Sequence, residues 1–406
     1  MEGKRDHPLL RQGKMDLAWA SQNMQIIDQV IKRYKGKNIL EGYSIGVCLH
    51  ITKETAVLVL GLRQLGANIF LCPANPLSTQ EHMVSLLKDK NINVYRKSGK
   101  TIQAFFENMD RVLDNKPNII VDDGGEFHKR ALQKNYNILG GTEETTSGIN
   151  RLKAWHKKKL IKYPIIAVNH SRTKNLFDNR YGTGQSSIEG ILRATGILLA
   201  GKRVIVCGYG WVGKGIANSA KGLGAKVIVT EIDPVQALEA FMDGFEVKPI
   251  NDTTPFGDIY ITCTGQLKVI RKEHIENMKD GVILCNAGHF DVEIDIDYLN
   301  KGDNHPTTIR KNLKCFRINR KKIYLLAEGR VINLVGGEGN PPEIMALSFA
   351  NQILSIVYIS KNFKNLEPKV YKVPKKIEIE IGQLALKSFS IQIDNITKEQ
   401  ENYYSS

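Results

Sequence analysis

From Tyr43 onward, short apolar runs alternate with stretches whose apolar positions recur at helical spacing. YSIGVCLH reads as a buried strand, and KETAVLVLGLRQLG as an amphipathic helix closed by Gly66. ANIFLCPA is the next strand and STQEHMVSLLKDKN the next helix. INVYRK, a helix around AFFENMDRVLDN, and NIIVDD continue the series. Near-continuous apolar strands separated by helices of about 10–15 residues predict a parallel sheet covered on both faces. A loop-rich zone, GGTEETTSGINRL, then a strand, IIAVNHS, and a polar stretch ending NRYGTGQS follow. The helix SIEGILRATGILLAG leads into a second series whose strands are RVIVCGYG, KVIVTEID, IYITCTG and GVILCNAG. Beyond KIYLLAEGRVINL comes an apolar helix, PEIMALSFANQILSIVYISKN, and then a charged tail that reads as an exposed arm.

The pattern predicts an α/β protein of two doubly wound parallel-sheet domains with a short C-terminal arm. The expected segments are 1–182, 183–341, 342–372 and 373–406. The expected hinges are Tyr181–Gly184 and Gly339–Pro342, the second where glycine and proline cluster.

Gly208, Gly210 and Gly213 form G-x-G-x-x-G directly after a strand and at the start of a helix. In that context the glycines permit a tight turn, close backbone approach to a pyrophosphate, and close helix–strand packing. The helix N-terminus offers N–H donors to the phosphates. Glu231 ends the next strand about twenty residues on, where an acidic side chain binds ribose hydroxyls and disfavours a 2′-phosphate. The cofactor expected is therefore NAD. Lys214, just past the turn, reads either as a phosphate neutraliser or as a solvated lysine. Trp211 reads as a lid or a partner contact.

Four polar clusters fall where strands of the first series end: His50, Thr52, Glu54 and Thr55; Asp122 and Asp123; Glu143 to Ser147; and Asn169, His170, Lys174, Asp178 and Asn179. Ligands of open α/β sheets bind beyond the carboxyl ends of strands. These groups suit acid–base work on a polyol beside a nicotinamide. Each also has a plain reading: a turn at DDGG, a helix cap at EETT, a surface i,i+4 pair at Lys174 and Asp178. No HExxH pattern occurs and no nucleophile elbow is read, and no metal is expected.

The chain has 406 residues, 24% of them charged and 42% hydrophobic, which is an ordinary globular mix. The net charge of +15 is spread along the chain without an aromatic-rich RNA-binding signature, so neither nucleic acid nor a membrane is an expected partner. No run of about 18 apolar residues is read, and the first residues lack the apolar core of a secretory signal. Six scattered cysteines without a CxxC pair fit reduced thiols in the cytoplasm.

The segments HITKETA, NPLSTQEH, DDGGE, EETTSG, TKNLFDNRYG, GYGWVGKG, TEIDP, NAGHFDVEID and LLAEGRVINL, in this order, resemble the S-adenosyl-L-homocysteine hydrolase family over essentially the whole chain. The NPLSTQ and GYGW variants, and the ending after ITKEQENYY, are similar to its shorter archaeal and thermophilic-bacterial branch. The family's longer forms carry a Lys/Tyr extension that reaches a neighbouring subunit's NAD.

The resemblance implies a Rossmann-like NAD domain inserted in a substrate domain, with homotetramer or homodimer assembly. It implies transient oxidation of the substrate's 3′-hydroxyl, removal of the acidified C4′ proton, departure of homocysteine from C5′, addition of water, and re-reduction. It implies catalytic roles for Asp123 as C4′ base, for Lys174 and Asp178 at the ribose hydroxyls, for Glu144 on the ribose, and for His50 and His289 at C5′. Lys174 is expected to have its pKa lowered by desolvation. Substrate contacts are implied for Thr52, Glu54, Asn340, Met345 and Phe349. Cofactor contacts are implied for Gly208, Gly210, Val212, Gly213, Glu231, Thr145, Thr146, Ser147, Asn179, Thr264, Gly265 and Asn333.

Two positions depart from the family pattern: His170 in VNHS stands where an aspartate is usual, and Asn340 in GEGNPPEIM where a histidine is usual. The function expected is NAD-dependent reversible hydrolysis of S-adenosyl-L-homocysteine. The alternatives are S-inosyl-L-homocysteine as substrate, a nucleoside epimerase, and a non-catalytic protein that only carries NAD.

Overall fold

β-branched and other apolar residues form strands β1 (Ser44–Leu49), β2 (Asn68–Pro73), β3 (Asn93–Val94), β4 (Ile119–Asp122), β5 (Gly140–Glu143) and β6 (Ile165–Ala167) in a computed structural model. It describes residues 7–97, 101–301 and 306–403. The ends of the expected first and last segments, 1–6 and 404–406, lie outside the described residues. The second series supplies β7 (Arg203–Cys207), β8 (Lys226–Thr230), β9 (Glu246–Val247), β10 (Ile259–Thr262), β11 (Val282–Asn286), β12 (Thr307–Arg310), β13 (Leu313–Ile318) and β14 (Lys321–Leu326). A last strand, β15 (Val370–Lys372), which the apolar pattern did not suggest, returns to the first sheet inside the expected segment 342–372.

The first sheet runs β15-β6-β5-β4-β1-β2-β3, all parallel. The second runs β12-β13-β14-β11-β10-β7-β8-β9. Its six strands from β14 to β9 are parallel, and β13 lies antiparallel between β12 and β14. The doubly wound expectation holds for both parallel regions. The antiparallel edge was missed because its strands alternate polar and apolar residues instead of forming a continuous apolar run.

Strand order reverses between β4 and β1 in the first sheet and between β10 and β7 in the second. The side chains at both switch points open onto one cleft, the place where doubly wound sheets bind ligands.

The helix Pro342–Asn362 threads from the second sheet back across the first, and most of its residues are buried. By length and composition alone it could cross a membrane, but 78% of its apolar window is buried inside the fold. Its apolar surface is spent on the core, where Phe349, Ala350, Ile353 and Ile356 pack with strand and helix residues of the first sheet.

The charged tail is likewise not an arm throughout. Lys375–Ser388 is a helix that buries Ile377, Ile381 and Ala385 against that core. Three-to-four-residue spacing hides these apolar positions among lysines and glutamates. Two helices that the strand pattern did not suggest, Pro8–Asn23 and Gln25–Tyr34, precede β1.

Candidate active site

The loops that leave β1, β4, β5 and β6 build one wall of a cleft of about 410 Å³. In-register pairing sets Cys48 beside Asp122 and Asp122 beside Glu143. His50, Asp123 and Glu144 therefore emerge at the same level. Thr52 caps the helix Lys53–Gln64 by accepting from Thr55 N at 3.4 Å. Thr145 caps Thr146–Lys157 by accepting from Gly148 N at 3.2 Å. The cap reading of EETT is thus correct, and the same residues line the cleft.

The acid–base groups form two clusters. In the first, His50 Nε2 lies 3.4 Å from Asp123 Oδ2, and His289 Nδ1 lies 3.6 Å from Asp123 Oδ1. Ser78 Oγ, at 2.5 Å, holds the other nitrogen of His50. Burial pushes the His50 imidazole down to about 4, and the neighbouring His289 adds to this while Asp123 opposes it. His50 is therefore a neutral ring at physiological pH. A metal could bind this triad by atom spacing alone.

In the second cluster, Lys174 Nζ sits 2.7 Å from Asp178 Oδ2, 3.5 Å from Glu144 Oε1 and 3.0 Å from Asn179 Oδ1. Lys174, Asp178 and Asn179 come from a π-helical turn, Asn175–Gly182, and the residue before it, whereas Glu144 follows β5. The Lys174–Asp178 pair is buried, not a surface pair. Ser348 Oγ and Gln352 Nε2, from the long return helix, donate to Glu144. Asn340 Nδ2 donates to Asp178 and, at 3.1 Å, to Thr183 Oγ1; its Oδ1 accepts from Ser186 Oγ at 2.7 Å and Asn333 Nδ2 at 3.1 Å.

The expected fall in the Lys174 pKa is not found. Burial does lower it, but Asp178 and Glu144 together outweigh burial and hold the ammonium above its ordinary value. Burial of Glu144 raises its carboxyl despite Lys174.

The second sheet supplies the other wall. Gly208 takes φ +108°, which favours glycine, and a Cβ at Gly213 would lie 2.0 Å from Gly208 O. At Gly210 a Cβ would meet nothing closer than 3.9 Å, so this backbone faces open cleft where a ligand can approach. Glu231 accepts from Tyr209 N at 2.6 Å, from Ile232 N at 2.7 Å and from Asp233 N at 3.1 Å. Buried Glu293 holds the Thr264–Gly265 turn through Thr264 N, Thr264 Oγ1 and Gly265 N at 2.9, 2.8 and 2.9 Å. Asn333 Oδ1 is buried on the cleft wall without a hydrogen-bond partner among the described residues. An open glycine turn, an acidic strand end and an unpaired amide oxygen fit a dinucleotide.

All of the expected catalytic and substrate residues line this cleft, as do Val212, Thr145, Thr146, Ser147, Asn179, Thr264, Gly265, Asn333 and Gly210. Gly208, Gly213 and Glu231 do not line it; they shape the turn behind it. Lys214 is spent on Glu239, at 2.6 Å, and lies 4.9 Å over the Trp211 ring. His170 is half-buried and outside the cleft.

Sequence reasoning missed Ser78, Glu293, Ser348 and Gln352. The last two stand i,i+4 on an apolar core helix, a spacing that puts two polar groups on one buried face.

The family model described as S-adenosyl-L-homocysteine hydrolase matches residues 5–137, and its NAD binding domain model matches residues 179–339. An adenosylhomocysteinase of Saccharolobus solfataricus is 48% identical over 98% of this chain and 97% of that protein. An S-inosyl-L-homocysteine hydrolase of Methanopyrus kandleri is 47% identical over 99% and 96%. An adenosylhomocysteinase of Aquifex aeolicus is 45% identical over 99% and 98%. The crystal structure of a dipicolinate synthase polypeptide from Bacillus halodurans, 15% identical, shares the fold with a TM-score of 0.50 over 80% of this chain and 99% of that one. With its cleft and its near-full-length relatives together, the chain belongs to the S-adenosyl-L-homocysteine hydrolase family.

Proposed function

We infer that this chain is an NAD-dependent hydrolase that reversibly splits S-adenosyl-L-homocysteine into adenosine and L-homocysteine. The observation that carries the reading is the meeting, in one cleft, of the His50–Asp123–His289 cluster with the Lys174–Asp178–Glu144 cluster beside a dinucleotide turn. When bound, NAD supplies a reversible hydride acceptor for the ribose 3′ carbon. Gly210 and the helix behind it, with Thr145 to Ser147, Asn179, Thr264, Gly265 and Asn333, are the residues assigned to hold it.

Glu144, Asp178 and Lys174 are assigned to the ribose hydroxyls. Because Lys174 stays an ammonium, it acts first as a donor that orders the hydroxyl, and the proton leaves through the lysine–carboxylate set as a unit. Asp123 is assigned as the C4′ base, since a C4′ proton becomes acidic only while C3′ is a carbonyl. His50 and His289 flank Asp123, where His289 can pass the proton that Asp123 takes from C4′ on to the departing thiolate, and neutral His50 can take one from the water that adds at C5′ and return it through Asp123 to C4′. Thr52 and Glu54 are assigned to the purine edge, with Met345 and Phe349 packing on it. The segments 1–182 with 342–372, and 183–341, are proposed as substrate and NAD domains, and a cytoplasmic homodimer or homotetramer as the working assembly. Exposed Val235, Leu238, Phe241 and Met242 on one helix support association.

The test incubates the NAD-loaded protein with homocysteine and either adenosine or inosine and follows thioether formation. Product from adenosine is the expected outcome. Product from inosine alone would transfer the assignment to the inosyl substrate, and no thioether from either would overturn the hydrolase reading. Asp123→Asn is expected to slow C4′ proton exchange with solvent by about 100-fold or more, the usual scale of a lost general base. Unchanged exchange would remove Asp123 from that role.

A further inference from the structure

Behind Asp123 lies a pair of fully buried carboxylates that the chemistry above does not use. Asp122 and Glu143 face each other in register on β4 and β5. Asp122 accepts one N–H on each oxygen, from Asp123 N and from His128 N, both at 2.8 Å. Glu143 places one oxygen on the active-site turns: Oε1 accepts from Gly124 N at 2.9 Å, Thr145 N at 3.0 Å and Thr145 Oγ1 at 2.7 Å. Its other oxygen, Oε2, is buried with no hydrogen-bond partner among the described residues. Glycine at 148 makes room for this carboxyl, since a Cβ there would lie 2.2 Å from Oε1.

No cation compensates the pair among the described residues around it. His128, on the helix Glu126–Gln133, uses Nε2 on Thr142 O and Nδ1 on Tyr163 Oη, both at 3.1 Å, and burial keeps it neutral. Arg151, on the helix Thr146–Lys157, is engaged by Glu126 at 2.6 Å and by Gly124 O at 3.0 Å. Cys48 on β1 and Tyr163 before β6 complete the surroundings, and both are held neutral by burial. Two adjacent buried carboxylates without a counterion do not both ionise.

We propose that Asp122 and Glu143 share one proton, carried by Glu143, and that the remaining carboxylate of Asp122 positions Asp123 through its backbone N–H. The hydrogen-bond pattern sets the assignment. Asp122 has an N–H on both oxygens, as a carboxylate requires, whereas Glu143 has an oxygen that nothing serves. Burial raises both groups, Asp122 to about 7 and Glu143 well above the carboxylate range, in the same order. Both are positioning residues: they touch the backbone of Asp123, Gly124 and Thr145, not the substrate. The inference rests on Asp123 being the C4′ base.

The test compares NAD-loaded wild type, Glu143→Gln and Asp122→Asn. A glutamine reproduces the neutral acid, so E143Q is expected to keep NAD content and C4′ exchange within about threefold of wild type. It is also expected to lose one infrared carbonyl band of a protonated carboxylic acid that wild type displays at neutral pH. D122N is expected to keep bound NAD and to slow C4′ exchange about tenfold, the scale of a base held out of place. A wild type without the band, an E143Q as impaired as D122N, or a D122N with unchanged C4′ exchange would each overturn the proposal. Failure of the underlying reading is separate: it is an Asp123→Asn variant with unchanged exchange.

Discussion

Replacing His128 by glutamine tests how burial of neutral imidazoles links stability to pH. The ring is fully buried, and Thr142 O can only accept, so Nε2 carries the hydrogen and Nδ1 accepts from Tyr163. Burial pushes the folded-state value from 6.5 down to about 4. At about 1.4 kcal/mol per pH unit, complete protonation of the unfolded chain against a neutral native ring is worth about 3 kcal/mol. For a base with a lowered pKa, the unfolded state holds the extra proton between pH 6.5 and 4. Stability therefore falls as pH is lowered through that window.

His50, also near 4, acts in the same direction. Glu143, held well above the carboxylate range by burial, acts in the opposite one, since there the native state holds the proton and stability declines as pH rises. The absolute slope is thus a mixture, and the informative quantity is the difference between wild type and H128Q. Urea unfolding of the NAD-loaded proteins, followed by circular dichroism from pH 7 to pH 4, should find that wild type's advantage shrinks by about 3 kcal/mol across the window. A difference that stays constant within about 1 kcal/mol would refute a neutral buried imidazole at this position.

Gly213→Ala places a Cβ 2.0 Å from Gly208 O, so the turn must open. Bound NAD should be lost on gel filtration, and full retention, measured by cofactor content, would show that the turn does not hold it. Gln352→Ala removes a donor from buried Glu144 and leaves that oxygen unserved. A penalty of about 1–3 kcal/mol predicts a roughly tenfold or larger rise in KM for adenosine with NAD content unchanged, and an unaltered KM would remove Gln352 from the ribose site.

The parallel core and the glycine turn were legible because their signals are local. Apolar runs of strand length, helical spacing and G-x-G-x-x-G all lie within a few residues of one another. The cleft residues were legible as clusters at strand ends, where the parallel-sheet pattern itself says ligands bind. The tail helix was not legible, because its buried face is only three apolar residues among charges, and whether such a face is covered depends on distant helices.

The sequence by itself determined the alternation of strands and helices, the cofactor turn, and the inventory of groups that can move protons. Tertiary structure alone decided their charge states. Lys174 was expected to be a weakened base, and it is a stabilised ammonium because Asp178 and Glu144 fold within 4 Å of it. Glu143 and Asp122 looked like turn and cap residues, and registry of β4 against β5 brings them together in a place without a counterion. Desolvation and Coulomb terms depend on distances between residues far apart in the chain, and spacing along one sequence does not carry those distances.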